Sequence, residues 1–320
     1  MTMHDLVAYS RRRIEEGSKS FALAARLFAP ETRASAYMLY AWCRHCDDIV
    51  DGQELGHPAT RRLDASTPSA IVDRLEAETR AALAGNPSDP TFEALGLVCA
   101  RHDIDKRYPL ELIEGFRMDA ASRTYETFED TLEYCYHVAG VVGVMMAMVM
   151  GVREAQVLAR ASDLGIAFQL TNIARDIIAD HRADRVYLPS EWLTEQGLSP
   201  ADLAEPDHRE RLFVVTERLL DAAEPYYASG RAGLAHLPFR AAWAVAAAGA
   251  VYRDIGTLVR QRGPRAWDER VSTSRTRKFS GVAAGLAAAL ARPRADAAGL
   301  PPRAGPSRQG LWTPSSLRHE

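Results

Sequence analysis

Residues 169–180 read QLTNIARDIIAD. On a helix, Gln169, Asn172, Asp176 and Asp180 follow one another at spacings of three, four and four residues. At about 100° per residue the four side chains share a face roughly 80° wide. Ile173 and Ile177 fall on a flank that can pack, so a helix is the natural reading. Two carboxylates and two amides in one stripe are costly to bury unless a cation or ordered donors meet them. The face therefore points either to water or to metal.

A second stretch bears on the choice. Residues 44–51 read RHCDDIVD, in which Asp47 and Asp51 form an i,i+4 pair and Arg44 lies one turn earlier on the same side. The preceding run, ASAYMLYAWC at 34–43, is almost wholly apolar and predicts a buried helix. Two buried helices, each ending in carboxylates one turn apart, suit Mg²⁺. That ion takes oxygen ligands, keeps several waters and is usually held by a few carboxylates plus substrate phosphates. Either DxxxD alone reads as a solvated acidic helix end. Together, on apolar helices and with Arg44, Asn172 and Arg175 beside them, they favour the metal.

Composition sets the outer limits. The 320 residues are 47% hydrophobic and 25% charged, as expected of a globular chain able to bury a sizeable core. A formal net charge of −3 offers no basic field for nucleic acid. Cys43 and Cys46 form a CxxC, but no βαβ pattern surrounds it and no second CxxC completes a zinc site, so helix packing is the expected role. The N-terminus shows no apolar segment before a cleavage site, which predicts a cytoplasmic protein with reduced thiols. The longest apolar run, VAGVVGVMMAMVMG at 138–151, is short for a membrane span and typical of a core helix. Peripheral attachment to the inner membrane stays open.

Helical patterning covers most of the chain, and no convincing strand alternation, GxGxxG or P-loop signature occurs. Helices are expected near 4–16, 30–47, 71–85, 91–102, 109–122, 130–151, 154–180, 207–230, 238–262 and 275–291. Ser18 or Ser20 caps a further helix that carries Phe21. The turn around these serines reads as a cap or as a phosphate contact. Residues 52–69 read as loop around at most one short helix. Asp119 and Arg123, four apart, read as a surface salt bridge. Ala139, Gly140 and Gly143 allow either close helix packing or the wall of an apolar tunnel, with Tyr134, Val138 and Val142 along one strip. Residues 1–291 are thus expected to form one all-α domain, a helical bundle around a central cavity. The tail from 292 to 320, rich in Pro, Gly and Arg, is expected to be disordered.

WCRHCDDIVD, YCYHVAGVVG, QLTNIARDIIAD and the following RVYLP, in this order and at compatible separations, resemble the squalene/phytoene synthase family, and most of all its bacterial carotenoid-forming members. The likeness runs from about Ser18 to Lys278. It implies an all-α isoprenoid synthase fold and a head-to-head condensation of two geranylgeranyl diphosphates, through prephytoene diphosphate, to 15-cis-phytoene. It implies Mg²⁺ or Mn²⁺ on Asp47, Asp51, Asn172, Asp176 and Asp180, with Asp48 nearby, and no need for NADPH. It implies diphosphate contacts from Arg44, Arg175 and Gln169, a closing turn at Ser18, Ser20 and Phe21, and a cavity tyrosine at Tyr134. Tyr252 and Arg270 are weaker matches, because the segment after Gly263 varies in length. Contact with downstream carotenoid enzymes stays open. The alternatives are a squalene or dehydrosqualene synthase using farnesyl diphosphate, a non-catalytic scaffold of the same fold, and a CxxC redox protein.

Overall fold

The apolar run before the first aspartates becomes the middle of a 22-residue helix, α3 (Pro30–Asp51), with Trp42, Met38 and Leu39 in the core. Pro30 starts it at the first helical position, where its missing N–H costs nothing. Gly52, at φ 62°, ends it. These features come from a computed structural model that describes residues 2–54, 57–58 and 67–292. The tail expected to be disordered therefore lies, beyond Arg292, outside the described residues. So does much of the expected loop at 52–69, whose described part includes a two-residue antiparallel pairing of Gln53–Glu54 with His57–Pro58.

Before α3 come α1 (Met3–Gly17) and the short α2 (Lys19–Ala25). Ser18, between them, accepts a hydrogen bond from the Phe21 amide at 3.3 Å and so is the cap, rather than Ser20. After α3 follow α4 (Pro68–Leu83), α5 (Pro90–Arg101), α6 (Arg107–Ala120) and α7 (Phe128–Cys135). The rest are α8 (Val141–Val149), α9 (Ala155–Arg182), α10 (Ser190–Glu195), α11 (Arg209–Ala232), α12 (Phe239–Arg262) and α13 (Arg275–Ala291).

The helix expected over 130–151 is not continuous α. Residues 136–140 form a π turn between α7 and α8. The wider turn adds residues per revolution. Positions four apart then stay nearly in line, which keeps Tyr134, Val138, Val142 and Met146 on one wall. Phe128–Val149 is long and apolar enough to span a bilayer, yet 67% of its most apolar window is buried within the bundle, as a core helix requires.

α8 and α9 pack with their backbones nearly touching. A Cβ on Gly143 would stand 2.3 Å from the Ala161 carbonyl oxygen, and one on Gly165 would stand 2.2 Å from that of Ala139. Both readings of the small residues hold, because Ala139 and Gly143 also border the cavity. α9 lies at the centre, against α7, α8, α11 and α12.

Candidate active site

The walls of the bundle enclose a cavity of about 580 Å³. Each wall changes from polar to apolar along its length. On α3 the lining runs from Asp47 and Arg44 through Tyr40 and Leu39 to Ala36. On α7 and α8 it runs from Tyr134 through Val138, Val142 and Met146 to Met150, sixteen steps along the chain, or at most about 24 Å at 1.5 Å per residue. On α9 it runs back from Arg175, Asn172 and Gln169 through Phe168 and Leu164 to Val157. On α12 Tyr252 is followed by Ala248, Val245 and Ala244. Every charged lining residue therefore gathers at one end, and the rest is hydrocarbon.

At the polar end the two aspartate clusters meet. Arg44 binds Asp47 at 2.9 Å and Asp48 at 2.8 Å. Asp51, one turn further along α3, takes a 2.7 Å ion pair from Arg185, just past the end of α9. Asp184, at φ 58°, makes the reversal that brings Arg185 back toward α3. Asp176 is gripped by Arg175, and by Arg270 through two bonds of 3.0 and 3.1 Å. The segment bearing Arg270 is pinned by a 3.1 Å bond from the Trp267 indole to the Ala174 carbonyl.

Between the clusters stands Asp119, on α6, which borders the cavity. Its oxygens accept hydrogen bonds from Tyr187 at 2.8 Å and Tyr134 at 3.2 Å, and those two rings stack with centroids 4.4 Å apart. The surface salt bridge expected with Arg123 does not form. α6 ends at Ala120 and Ser122 turns to φ 48°, so Arg123 leaves the helical register and pairs with Glu133 and Asp130 instead.

The electrostatics record the convergence. Burial first, and the charge of Asp51 second, push the Asp47 carboxyl up to about 7. Its side chain is 41% exposed, but it borders the cavity, and surrounding protein atoms desolvate it there. Burial and then Asp176 push Asp180 up to about 7, with Asp119 contributing. Burial lifts Asp119 to about 6, against the pull of Arg185 and the two tyrosine donors. Burial also opposes charge on Asp176, yet hydrogen bonds from Arg175 and Arg270 hold its carboxyl below the ordinary value.

Of the residues expected at the site, Ser18, Phe21, Arg44, Asp47, Tyr134, Val138, Val142, Gln169, Asn172, Arg175, Tyr252 and Arg270 border the cavity. Asp51, Asp176 and Asp180 sit one or two turns further along the same helices. Two expectations are not met. Ser20 is not among the residues that border the cavity, whereas Ser18, the cap, is. Asp48, expected beside the metal ligands, is 4% exposed, held under Arg44 and away from the lining. The residues missed in the sequence are Asp119, Tyr187, Arg185, Tyr40 and Phe168. RVYLP, which carries Arg185 and Tyr187, was the available signal.

The donor set fits a hard divalent cation. Its oxygens come from carboxylates and an amide. The Asn172 Oδ1 is buried without a hydrogen-bond partner, and two carboxyls are held too high to be comfortably charged without a cation. Among the described residues no three His, Cys, Asp or Glu side chains form a closed cage, so phosphate oxygens and water would complete the coordination. The CxxC is no redox pair in this setting. Cys46 is buried, and burial followed by the nearby Asp47 pushes the Cys43 thiol up to about 12, away from the reactive thiolate.

The profile of squalene/phytoene synthases matches residues 14–277. The chain belongs to the squalene/phytoene synthase family. A 15-cis-phytoene synthase of Paracoccus sp. is 52% identical over 312 residues, covering 97% of this chain and 98% of that one. A 15-cis-phytoene synthase of Pantoea ananas is 51% identical over 275 residues, 86% of this chain and 89% of that one. Among solved structures, a ligand-bound dehydrosqualene synthase superposes with a TM-score of 0.79 at 29% identity, over 89% of this chain and 96% of that one. The fold expected from the motifs is thus the fold observed.

Proposed function

We propose that the protein is a 15-cis-phytoene synthase that joins two geranylgeranyl diphosphates head-to-head, through prephytoene diphosphate, in carotenoid biosynthesis. The observation that carries this reading is the meeting of Asp47 and Asp51 with Asp176 and Asp180 at the polar end of an otherwise apolar cavity. Its chain length follows the relatives at 51% and 52% identity, both named 15-cis-phytoene synthase. A wall of up to about 24 Å also leaves room for an extended tail of four isoprene units.

Asp47, Asp51, Asn172, Asp176 and Asp180 would hold Mg²⁺ or Mn²⁺. When bound, the metal supplies positive charge that stabilises a departing diphosphate. The chain's own residues do the rest. Arg44, Arg175, Arg185 and Arg270 now neutralise these carboxylates, and they are placed to donate charge-assisted hydrogen bonds to diphosphate oxygens. Burial raises the phenols of Tyr134 and Tyr252, the latter to about 12, so they stay protonated donors at neutral pH. Phe21, Tyr252 and Phe168 stack in series, with centroids 5.4 and 4.3 Å apart. They present aromatic faces to an allylic cation. The apolar walls keep water from that cation. Each half of the reaction releases one diphosphate and one proton, and neither needs a reductant.

The second reading, a synthase of shorter chains from farnesyl diphosphate, is favoured by the likeness to the dehydrosqualene synthase structure. Offering the purified protein both diphosphates with Mg²⁺ and no NADPH separates the two. The expected product is a forty-carbon triene-centred hydrocarbon from geranylgeranyl diphosphate. A thirty-carbon product formed in preference would refute the assignment.

A further inference from the structure

α13 lies flush against the outside of α12. A Cβ on Gly285 would stand 2.5 Å from the Ala247 amide nitrogen, so the two backbones nearly touch. α12 lines the cavity on its other side. Gly281, Gly285 and Ala289 fill the buried side of α13. The outward side is apolar too. Phe279 is 65% exposed and Leu290 is 69% exposed, with exposed Ala283 and Ala287 between them. At about 100° per residue these four share a face roughly 80° wide. No charged residue occurs from Phe279 to Ala291. Phe239, at the start of α12, is 40% exposed, and the Arg292 guanidinium sits over its ring at 5.4 Å.

The charge around this stripe is mostly basic. Residues 18–30, 239–253 and 275–292 contain no Asp or Glu, but eight Lys and Arg. Arg26, Arg253 and Arg277 are paired with Glu15, Glu224 and Asp254. Among the described residues, Lys19, Arg240, Arg275, Lys278 and Arg292 have no carboxylate partner. Contacts tie the three segments into one surface. Arg240 donates to the Leu27 and Phe28 carbonyls, and the Trp243 indole donates to the Val282 carbonyl at 2.9 Å.

We propose that α13 and Phe239 form a membrane-contact face, lying in the plane of a bilayer that contains anionic lipids. The Phe279–Leu290 stripe sits at the acyl boundary, and the unpaired Lys and Arg meet lipid phosphates. An uncharged stripe whose rim carries five basic groups beyond those paired with Glu15, Glu224 and Asp254 is complementary to such a surface. The face does not depend on the reaction proposed above. Combined with it, the placement holds the apolar-walled cavity one helix away from the lipid that would receive the product.

Co-sedimentation of the full-length protein with vesicles tests this, using phosphatidylcholine alone and phosphatidylcholine mixed with phosphatidylglycerol. The wild type should bind the anionic vesicles, and binding should weaken with salt. R275Q/K278Q should lose about fivefold per charge removed. F279S/L290S should lose at least about tenfold, because it strips two apolar side chains from the interface. Its turnover in detergent solution should stay at the wild-type level. Failure of the wild type to bind, or equal binding by F279S/L290S, would overturn the proposal. So would a dimer that F279S/L290S splits into monomers, which gives the face to a second copy. Binding that appears only after residues 293–320 are removed would give it to the chain's own C-terminal segment, and would also overturn it.

Discussion

Asp119 shows how much a single residue depends on where its helix stops. Four residues from Arg123, it looks like half of an exposed ion pair. The end of α6 at Ala120 separates the two and leaves Asp119 facing the cavity under two tyrosine hydroxyls. Asp119→Asn keeps the shape and removes the charge between the aspartate clusters. A loss of about 10- to 100-fold in kcat/KM is expected, the usual effect of disturbing groups that orient metal ligands, with the circular dichroism spectrum unchanged. Asp47 and Asp180 give a second residue-scale expectation. Both are held above their unfolded values, so the folded state binds their protons more tightly. The stability they contribute is fully present below about pH 4 and is lost as the pH rises through about 7. The chelator-treated protein should therefore melt at a lower temperature at pH 8 than at pH 5.5. Added Mg²⁺ should raise the melting temperature more at pH 8, where the same carboxylates are free of protons. A melting temperature that rises steadily with pH would contradict the assignment.

At the scale of elements, the contact between α8 and α9 sets the shape of the tunnel. Gly143→Ala drives a methyl group into the Ala161 carbonyl and should cost about 1–3 kcal/mol, read as a lower denaturation midpoint. Gly249→Ala, in the interior of α12 with its nearest outside atom at 4.0 Å, should instead gain about 0.5–1 kcal/mol. If both substitutions behaved alike, the close approach of α8 and α9 would not be the reason for the glycine. These elements also show what the sequence could tell. Helix positions follow from apolar periodicity and from Pro and Gly at the ends, so α3, α9 and α12 lie close to where they are expected. The π turn at 136–140 was hidden, since no residue type demands it. Asp48 and Ser20 stand outside the cavity lining for a related reason. They neighbour the right positions, but a helix turns adjacent residues about 100° apart, and each ends on the wrong side.

Across the whole molecule, segments 125 residues apart in sequence meet at one end of a greasy cavity. The likeness of the motifs made that meeting legible, whereas periodicity alone left each acidic cluster free to face water. Arg185 and Asp119 supply the physical bridge: Arg185 pairs with Asp51 and its charge favours an ionised Asp180, and the charge of Asp119 raises both Asp47 and Asp180. The central claim is that the two aspartate pairs act as a single grip on one diphosphate through shared cations. Calorimetric titration of Mn²⁺ into the protein with inorganic pyrophosphate tests it most directly, comparing wild type, Asp51→Asn and Asp176→Asn. The account predicts tight pyrophosphate-dependent Mn²⁺ binding in the wild type and its loss in either single variant, with the helical spectrum intact. Binding that survives at reduced stoichiometry in each variant would mean two independent acidic sites, and would contradict it.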